Sequence, residues 1–155
     1  MLNDTSAFGD EPNFGQDPPL LFNVVYCSRA VDDITDNDVN RIIATCHRNN
    51  PRFGITGILV FGGGIFFQWL EGPRQSIERL MTQLHADHRH HQIHMISEVE
   101  ESRDRLFPQW DMELVSAEHI RDVLEDAMNT ADDPRDAKAL ADMLAEVDAQ
   151  WGDAG

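Results

Sequence analysis

Two apolar runs joined by glycines are the strongest feature of the hydrophobic pattern along the chain. Ile55–Phe61 and Ile65–Leu70 flank Gly62-Gly63-Gly64, and glycine adopts positive φ without steric cost. Apolar runs of this length around such a turn predict a β-hairpin. The rest of the chain is interpreted around this hairpin.

One polar residue, Gln68, interrupts the second apolar run. Because side chains alternate between the faces of a strand, Gln68 should share one face with Phe66 and Leu70, while Phe67 and Trp69 point the other way. A buried amide without hydrogen-bond partners costs roughly 1–3 kcal/mol. Gln68 is therefore either a satisfied core residue or the contact for a polar ligand, and the hairpin alone does not decide between them.

Strand-type runs and helical spacing predict the other elements. The helices carry apolar side chains at i, i+3, i+4 and i+7, and Asn49-Asn50-Pro51 should end the first of them because the residue before proline avoids the α region. The predictions are a strand over Leu21–Ser28, a helix from a Thr35 cap to near Arg48 with Val39, Ile42, Ile43 and Cys46 on one face, a helix starting near Pro73, and strands over Ile93–Val99 and Gln109–Val115.

The predicted order is β-α-β-β-α-β with one extra strand, which indicates an α+β, ferredoxin-like sandwich. Residues 1–19 are rich in Asn, Asp, Gly and Pro and are predicted to be a flexible tail. Residues 20–115 are expected to form the main domain. Residues 116–155 carry eleven acids and two helical apolar patterns, the second opened by Asp132-Asp133-Pro134.

Strand alternation places large apolar residues on both faces of the predicted sheet. Phe67 and Trp69 would lie on the face that the first two helices leave uncovered, and exposed apolar patches of several hundred Å² are rare on monomers. We therefore expect the C-terminal helices to dock over Phe67 and Trp69, within one chain or between two.

The charge of the chain excludes some classes of partner. The formal net charge is −16 and Lys138 is the only lysine, so phosphate backbones and anionic headgroups are repelled and neither nucleic-acid nor membrane binding is expected. An apolar run near 18 residues and a signal-peptide core are both missing from the sequence. Cys27 and Cys46 show no metal or redox spacing, which favours a reduced, cytoplasmic protein.

Catalytic and metal motifs are weak. His85, His88, His90, His91 and His94 are clustered, but without the ligand spacing of known metal sites, so no metal is predicted. The hairpin glycines fit neither a dinucleotide-binding loop nor a P-loop, and no nucleophile can be nominated. What remains is a set of polar residues expected on the inner face of the sandwich, namely Tyr26, Ser28, Asn50 and Gln68, with Trp110 and Met112 sharing strand parity near them.

These polar residues stand in segments that resemble the BLUF family of blue-light photoreceptors, in its short form. The resemblance covers Leu21 to about Val115, and five segments follow in the family's order. They are Val25-Tyr26-Cys27-Ser28-Arg29-Ala30, Asn49-Asn50-Pro51-Arg52-Phe53-Gly54-Ile55-Thr56-Gly57, Phe67-Gln68-Trp69-Leu70-Glu71-Gly72, Asp87-His88-Arg89-His90 and Phe107-Pro108-Gln109-Trp110-Asp111-Met112.

The resemblance implies a flavin between the two helices on one sheet face, FAD in the first place, with FMN or riboflavin as alternatives. It implies that Asn50 bonds the C4=O/N3–H edge of the ring, since an amide offers donor and acceptor together. Gln68 would lie between the Tyr26 hydroxyl and the flavin N5 and O4 atoms. The same resemblance implies packing by Ile42, Ile43 and Phe66, contacts from Arg89 and His90 to the ribityl and phosphate end, and photoactive roles for Ser28, Trp110 and Met112. Because Trp110 and Met112 share strand parity, alternation predicts that both can point at Gln68.

The implied mechanism is photochemical. In the family, light makes the flavin an oxidant, Tyr26 gives up an electron and, through Gln68, a proton, and recombination leaves the Gln68 amide rearranged. A new hydrogen bond to flavin O4 shifts absorption to the red until the dark state returns. With no output enzyme expected in the chain, the signal would pass to a partner protein or to another copy in a homo-oligomer.

Two other interpretations remain open at this point. A flavin-dependent redox enzyme would need a substrate pocket and a route for electrons. A ferredoxin-like binding module without a cofactor would use Tyr26 and Gln68 only as core residues. The colour of the purified protein, and a reversible red shift without bleaching under light, would distinguish the three.

Overall fold

The computed structural model describes residues 20–151, so the predicted tail over residues 1–19 lies outside the described residues. Five strands and four helices follow one another in the order β-α-β-β-α-β-β-α-α. They are β1 Leu20–Ala30, α1 Asp36–Phe53, β2 Thr56–Gly62, β3 Ile65–Gly72, α2 Arg74–His85, β4 His90–Ser102, β5 Glu113–Ser116, α3 Ile120–Thr130 and α4 Pro134–Trp151. The predicted α+β, ferredoxin-like class with an added strand is confirmed.

The strands form one sheet in the order β4-β1-β3-β2-β5. The predicted hairpin is β2 and β3, and Gly62 pairs with Ile65 across a turn made by Gly63 and Gly64. Both turn residues have positive φ, 58° and 76°, the conformation that glycine allows in a two-residue hairpin. β3 pairs antiparallel with β1 on its other side, which makes the strand of Gln68 the centre of the sheet.

Helix α1 starts as predicted and ends later. Thr35 caps it in a capping box, with Thr35 Oγ1 accepting from the Asp38 amide at 3.1 Å and Asp38 Oδ2 accepting from the Thr35 amide at 3.0 Å. The predicted end near Arg48 is wrong, because α1 continues to Phe53 with Pro51 inside its last turn. Proline removes one donor there, but the true stop is Gly54, whose left-handed conformation closes the helix.

The last strand is shorter than the sequence pattern indicates. A strand over Gln109–Val115 was predicted, whereas β5 covers only Glu113–Ser116 and pairs in parallel with β2. The residues before Glu113 form turns and bends. This difference moves Trp110 and Met112 out of the ladder, and strand parity therefore does not apply to them.

The sheet separates two apolar cores. The cleft face, packed under α1 and α2, includes Tyr26, Leu59, Phe66, Leu70 and Met112. The far face includes Val25, Ile58, Phe67 and Trp69, and it is covered by Leu124 of α3 and by Leu140, Met143 and Val147 of α4. The C-terminal helices thus dock over Phe67 and Trp69 within one chain, as expected from the sequence. The proposed boundary between residues 115 and 116 remains a prediction.

Candidate functional site

Three side chains form a buried chain of contacts on the cleft face. Tyr26 and Gln68 are cross-strand neighbours in β1 and β3, and the Tyr26 hydroxyl donates a short hydrogen bond to Gln68 Oε1. Gln68 Nε2 donates in turn to the Met112 sulfur at 3.3 Å. All three residues are at most 3% exposed. The amide of Gln68 is therefore satisfied at both ends.

Burial gives Tyr26 a strong preference for its neutral form. Desolvation is the largest cause that raises the pKa of Tyr26, and the charges of Cys46 and Asp87 add to it. The ordinary tyrosine pKa is already near 10, so the phenol keeps its proton at any physiological pH. It can donate that proton only to Gln68 Oε1, the acceptor it contacts.

A cleft between α1 and α2 opens onto this chain of contacts. A deep cavity reaches Tyr26 and Gln68, and an outer cavity runs past Asn50. The two share Cys46 and Leu80 as lining residues. Desolvation raises the pKa of the Cys46 thiol to about 11. The deep part is also lined by apolar side chains, namely Ile42, Leu59, Phe66 and Leu84, and by the polar groups of Asp87, Arg89 and His90.

The deep end of the cleft carries an ion pair and a histidine. Arg89 binds Asp87 through Nε and Nη2, at 2.9 and 2.6 Å, and these hydrogen bonds are the largest cause that lowers the pKa of Asp87. His90 Nε2 lies 2.6 Å from the Leu84 carbonyl, and its Nδ1 lies 2.7 Å from Ser28 Oγ. A carbonyl only accepts, so Nε2 carries hydrogen. In the neutral ring Nδ1 then accepts from the Ser28 hydroxyl.

Helix α1 holds the backbone that leads to Met112. Asn50 Nδ2 donates to the Asp111 carbonyl at 2.6 Å, and His47 Nε2 lies 2.9 Å from the Met112 carbonyl. The Gly57 amide of β2 donates to the Trp110 carbonyl at 3.0 Å. Three successive carbonyls, from Trp110 to Met112, are therefore fixed from outside their own segment.

The structure corrects the prediction that Trp110 and Met112 both point at Gln68. Met112 does, while Trp110 packs with the far-face core and stacks on Phe107 with ring centroids 5.3 Å apart. The parity argument fails because neither residue belongs to a strand. In a turn, neighbouring side chains follow the local backbone and not a two-residue period.

A buried carboxylate on the far face fixes the loop that precedes Met112. Glu71 is fully buried and accepts four hydrogen bonds at 2.8–3.2 Å, from Thr56 Oγ1, Trp69 Nε1 and the amides of Leu106 and Phe107. Sequence reasoning missed this role. A charged residue after an apolar run in β3 was the available signal, because a buried acid must find donors.

Most predicted residues lie at the cleft. Tyr26, Ile42, Phe66, Gln68, Arg89 and His90 line the deep cavity, and Asn50 lines the outer one. Ile43 packs against the same core without lining either cavity, and Ser28 lies behind His90. Cys46, Leu80, Leu84 and Asp87 also line the deep cavity, and none of them was predicted to do so, although the first three stand in the helical apolar patterns.

Within residues 20–151 no group of three or more metal-binding side chains comes together. Members of the histidine cluster bind backbone carbonyls instead, as His85 does with Met81 and His91 with Arg29. No helix in the same range is long and apolar enough to cross a membrane.

The chemistry of the cleft suits a planar heteroaromatic ring with a polar edge and an anionic tail. Apolar walls would contact the ring faces, amides would meet the edge, and Arg89 supplies a cation for an anion. The deep cavity encloses only about 30 Å³ and the outer one about 240 Å³.

Comparison with known proteins gives a family for this combination. A family model described as "BLUF: Sensors of blue-light using FAD" matches residues 21–113, more than half of the chain. The blue light- and temperature-regulated antirepressor BluF of Escherichia coli is 32% identical over 74 residues, which are 48% of this chain and 18% of that protein. The chain spans less than a fifth of the length of the curated relatives it matches.

Solved structures agree with the family. BlrB, described as a BLUF protein in its dark state, is 31% identical with a TM-score of 0.64, and the match covers 84% of this chain and 98% of BlrB. Klebsiella pneumoniae BlrP1, solved with FMN and cyclic diGMP, is 26% identical with a TM-score of 0.67. That match covers 83% of this chain and 35% of BlrP1.

Proposed function

Because the chain belongs to the BLUF family of blue-light sensors that use FAD, we propose that it signals by rearranging the hydrogen bonds of Gln68 beside a flavin held between α1 and α2. The chain is a blue-light-sensing flavin photoreceptor. The observation that supports this mechanism is the buried contact chain from Tyr26 through Gln68 to Met112.

The residues that would hold the flavin follow from the lining of the cleft. The Asn50 amide would bond the polar ring edge, Ile42 and Phe66 would contact the ring, and Arg89 with His90 would face the phosphate end. Ile43 would support the wall from behind. We propose FAD as the flavin, on the description of the family. FMN, present in the BlrP1 structure, and riboflavin are the alternatives.

Bound flavin would supply blue-light absorption and a photochemical oxidant. The protein's own part is to move a proton and to turn an amide. Tyr26 would give an electron to that oxidant and its proton to Gln68 Oε1, the acceptor it contacts in the structure, and would regain both on recombination. The Gln68 amide would then change its orientation, and its Nε2 would leave the Met112 sulfur. A thioether is a weak acceptor, so this contact is cheap to break and the rearrangement can reverse in the dark.

The signal would leave through Met112. This residue precedes β5 by one position, and β5 leads to α3 and α4 on the far face. We propose a separate partner protein, or a second copy in a homo-oligomer, as the receiver, and light sensing without enzymatic activity as the function of residues 20–151. Cys27 and Cys46 are both free, which supports a reducing, cytoplasmic location.

The test uses two variants that keep the packing of the site. Tyr26→Phe removes the proton donor and Gln68→Leu removes the amide, so both should retain flavin and lose the reversible red shift. Absorption spectra before, during and after blue illumination measure this. Gln75→Leu, which removes an exposed amide of α2, is the control and should behave as wild type.

A normal light-state spectrum in either site variant would disprove the mechanism. Irreversible bleaching in the presence of electron donors would favour a flavin-dependent redox enzyme instead. A colourless protein that does not take up added FAD, FMN or riboflavin would favour a binding module without a cofactor.

A further inference from the structure

We propose that His47 is a positioning residue that keeps Met112 against Gln68, a role that rests on the proposed function of the Gln68 amide. His47 lies on α1, outside the cleft lining, and its side chain is exposed. Its ring nevertheless reaches the backbone of a fully buried methionine on the other side of the site.

The geometry assigns a proton to this contact. His47 Nε2 lies 2.9 Å from the Met112 carbonyl oxygen, and a carbonyl oxygen only accepts. The ring therefore carries hydrogen on Nε2 and donates. Met112 Sδ lies 3.3 Å from Gln68 Nε2. Met112 is therefore bound by His47 through its carbonyl oxygen and by the Gln68 amide through its sulfur.

The Met112 carbonyl lies just before β5 begins, outside the pairing of β5 with β2. The parallel ladder of β5 with β2 begins at the pair Ile58–Glu113, one residue after Met112. His47 and Asn50 are three positions apart and thus neighbours on one helix face. Together they fix the carbonyls of Met112 and Asp111. Helix α1 replaces the missing strand partner with two side-chain donors.

Loss of the His47 donor should free the Met112 carbonyl, while Asn50 still donates to the carbonyl of Asp111. The Met112 side chain would then spend part of its time away from Gln68, and the dark arrangement would lose stability relative to the illuminated one. Remaking the contact as the dark state returns then costs more, so the illuminated form should live about two-fold longer, less than the effect of one ordinary hydrogen bond because a thioether is a weak acceptor.

The experiment compares two substitutions at one position in the full flavin-bound chain. His47→Phe keeps a planar ring without a donor, and His47→Gln keeps a donor near the place of Nε2. The first readout is the methyl resonance of Met112 in the dark, from protein labelled at its methionine methyl groups and assigned with Met112→Leu. The second readout is the lifetime of the red-shifted state.

We expect His47→Phe to shift the Met112 methyl resonance and to lengthen the lifetime about two-fold, and His47→Gln to restore both. His85→Phe is the matched control, because His85 also binds a backbone carbonyl through its ring, that of Met81 at 2.8 Å, but within its own helix. It should leave both readouts at their wild-type values.

Wild-type values in His47→Phe would overturn the proposal, and so would equal effects of Phe and Gln, since the role would then be steric. A wild-type protein with no reversible red shift would refute the proposed function instead. The dark methyl resonance would still decide whether His47 positions Met112.

Discussion

The two faces of the sheet each bury one polar side chain of β3, and they satisfy it in opposite ways. On the far face, Glu71 accepts four hydrogen bonds, two of them from backbone amides. On the cleft face, Gln68 has one phenol donor at Oε1 and one thioether acceptor at Nε2. Gln68, with few partners, and Glu71, with many donors, are only three positions apart in one strand.

The difference in chemistry separates a fixed contact from a movable one. A carboxylate only accepts, so four converging donors leave it a single arrangement. An amide has a donor end and an acceptor end, and turning it exchanges the two. Because the sulfur of Met112 is a weak acceptor, little is lost when the Gln68 amide turns away from it. The same strand can thus anchor a loop and carry a switch.

The largest effect is expected at the anchor. Glu71→Ala leaves four donors unpaired, two of them on the backbone, and each unsatisfied buried group costs about 1–3 kcal/mol unless water reaches it. We expect the free energy of unfolding to fall by about 4 kcal/mol, measured by urea denaturation of the flavin-bound protein. Glu71→Gln, which keeps one acceptor oxygen, should lose about half as much.

Glu78→Ala is the control for this prediction. Glu78 pairs with Arg74 on the exposed surface of α2, and its removal should change the free energy of unfolding by less than about 0.5 kcal/mol. Equal losses in Glu71→Ala and Glu78→Ala would contradict the anchor, and with it the contrast between the two faces.

Replacement of one buried leucine on each face should lower the free energy of unfolding less than Glu71→Ala does, and by a similar amount on the two faces. Leu59 lines the deep cavity opposite Gln68, and Leu124 lies in the far-face core. Both are almost fully buried, so each substitution by alanine should cost about 3 kcal/mol through lost burial and a cavity. Urea denaturation measures this cost.

Only Leu59→Ala should also change the flavin absorption spectrum and the lifetime of the red-shifted state. Leu124→Ala should be destabilised with an unchanged dark spectrum. If the far-face variant shifts the dark spectrum as much as the cleft-face variant does, the two cores are not separate in their effect on the site.

Regular elements of this molecule were predictable because their patterns are local. The hairpin turn requires two residues with positive φ, and Gly63 and Gly64 provide them. Thr35 and Asp38 form the predicted start of α1 within four residues. Strand alternation also separated Gln68 and Tyr26 from Phe67 and Trp69, which is why the two faces could be assigned before the structure was known.

Positions fixed by distant contacts were not predictable in this way. The stop of α1 depends on the closing conformation of Gly54, which outweighs the local signal of Pro51. The place of Trp110 depends on its stack with Phe107 and on the anchoring of that loop by Glu71. Loop conformation of this kind is decided by tertiary contacts, for which the two-residue period of a strand carries no information.

The smallest expected effect concerns two similar ion pairs, one near each face. Asp87 binds Arg89 at the deep end of the cleft, and Asp133 binds Arg135 at the start of α4. In each pair the aspartate also accepts the arginine backbone amide, at 3.0 and 2.9 Å. Hydrogen bonds from the arginine lower the pKa of both carboxyls, so each aspartate is more acidic in the folded protein than in the unfolded chain.

A lowered folded-state pKa stabilises the protein above the unfolded pKa of about 4, and that contribution is lost as pH falls through the folded value. Asp87→Asn should therefore be less stable than wild type by about 0.5 kcal/mol near pH 7, and the gap should close between about pH 5 and pH 3. Urea denaturation at several pH values measures the gap.

Asp133→Asn should show the same sign of pH dependence, but only Asp87→Asn should alter the flavin spectrum, because Asp87 lines the deep cavity. A gap for Asp87→Asn that widens as pH falls would show that the ion pair does not stabilise the folded protein at the deep end of the cleft.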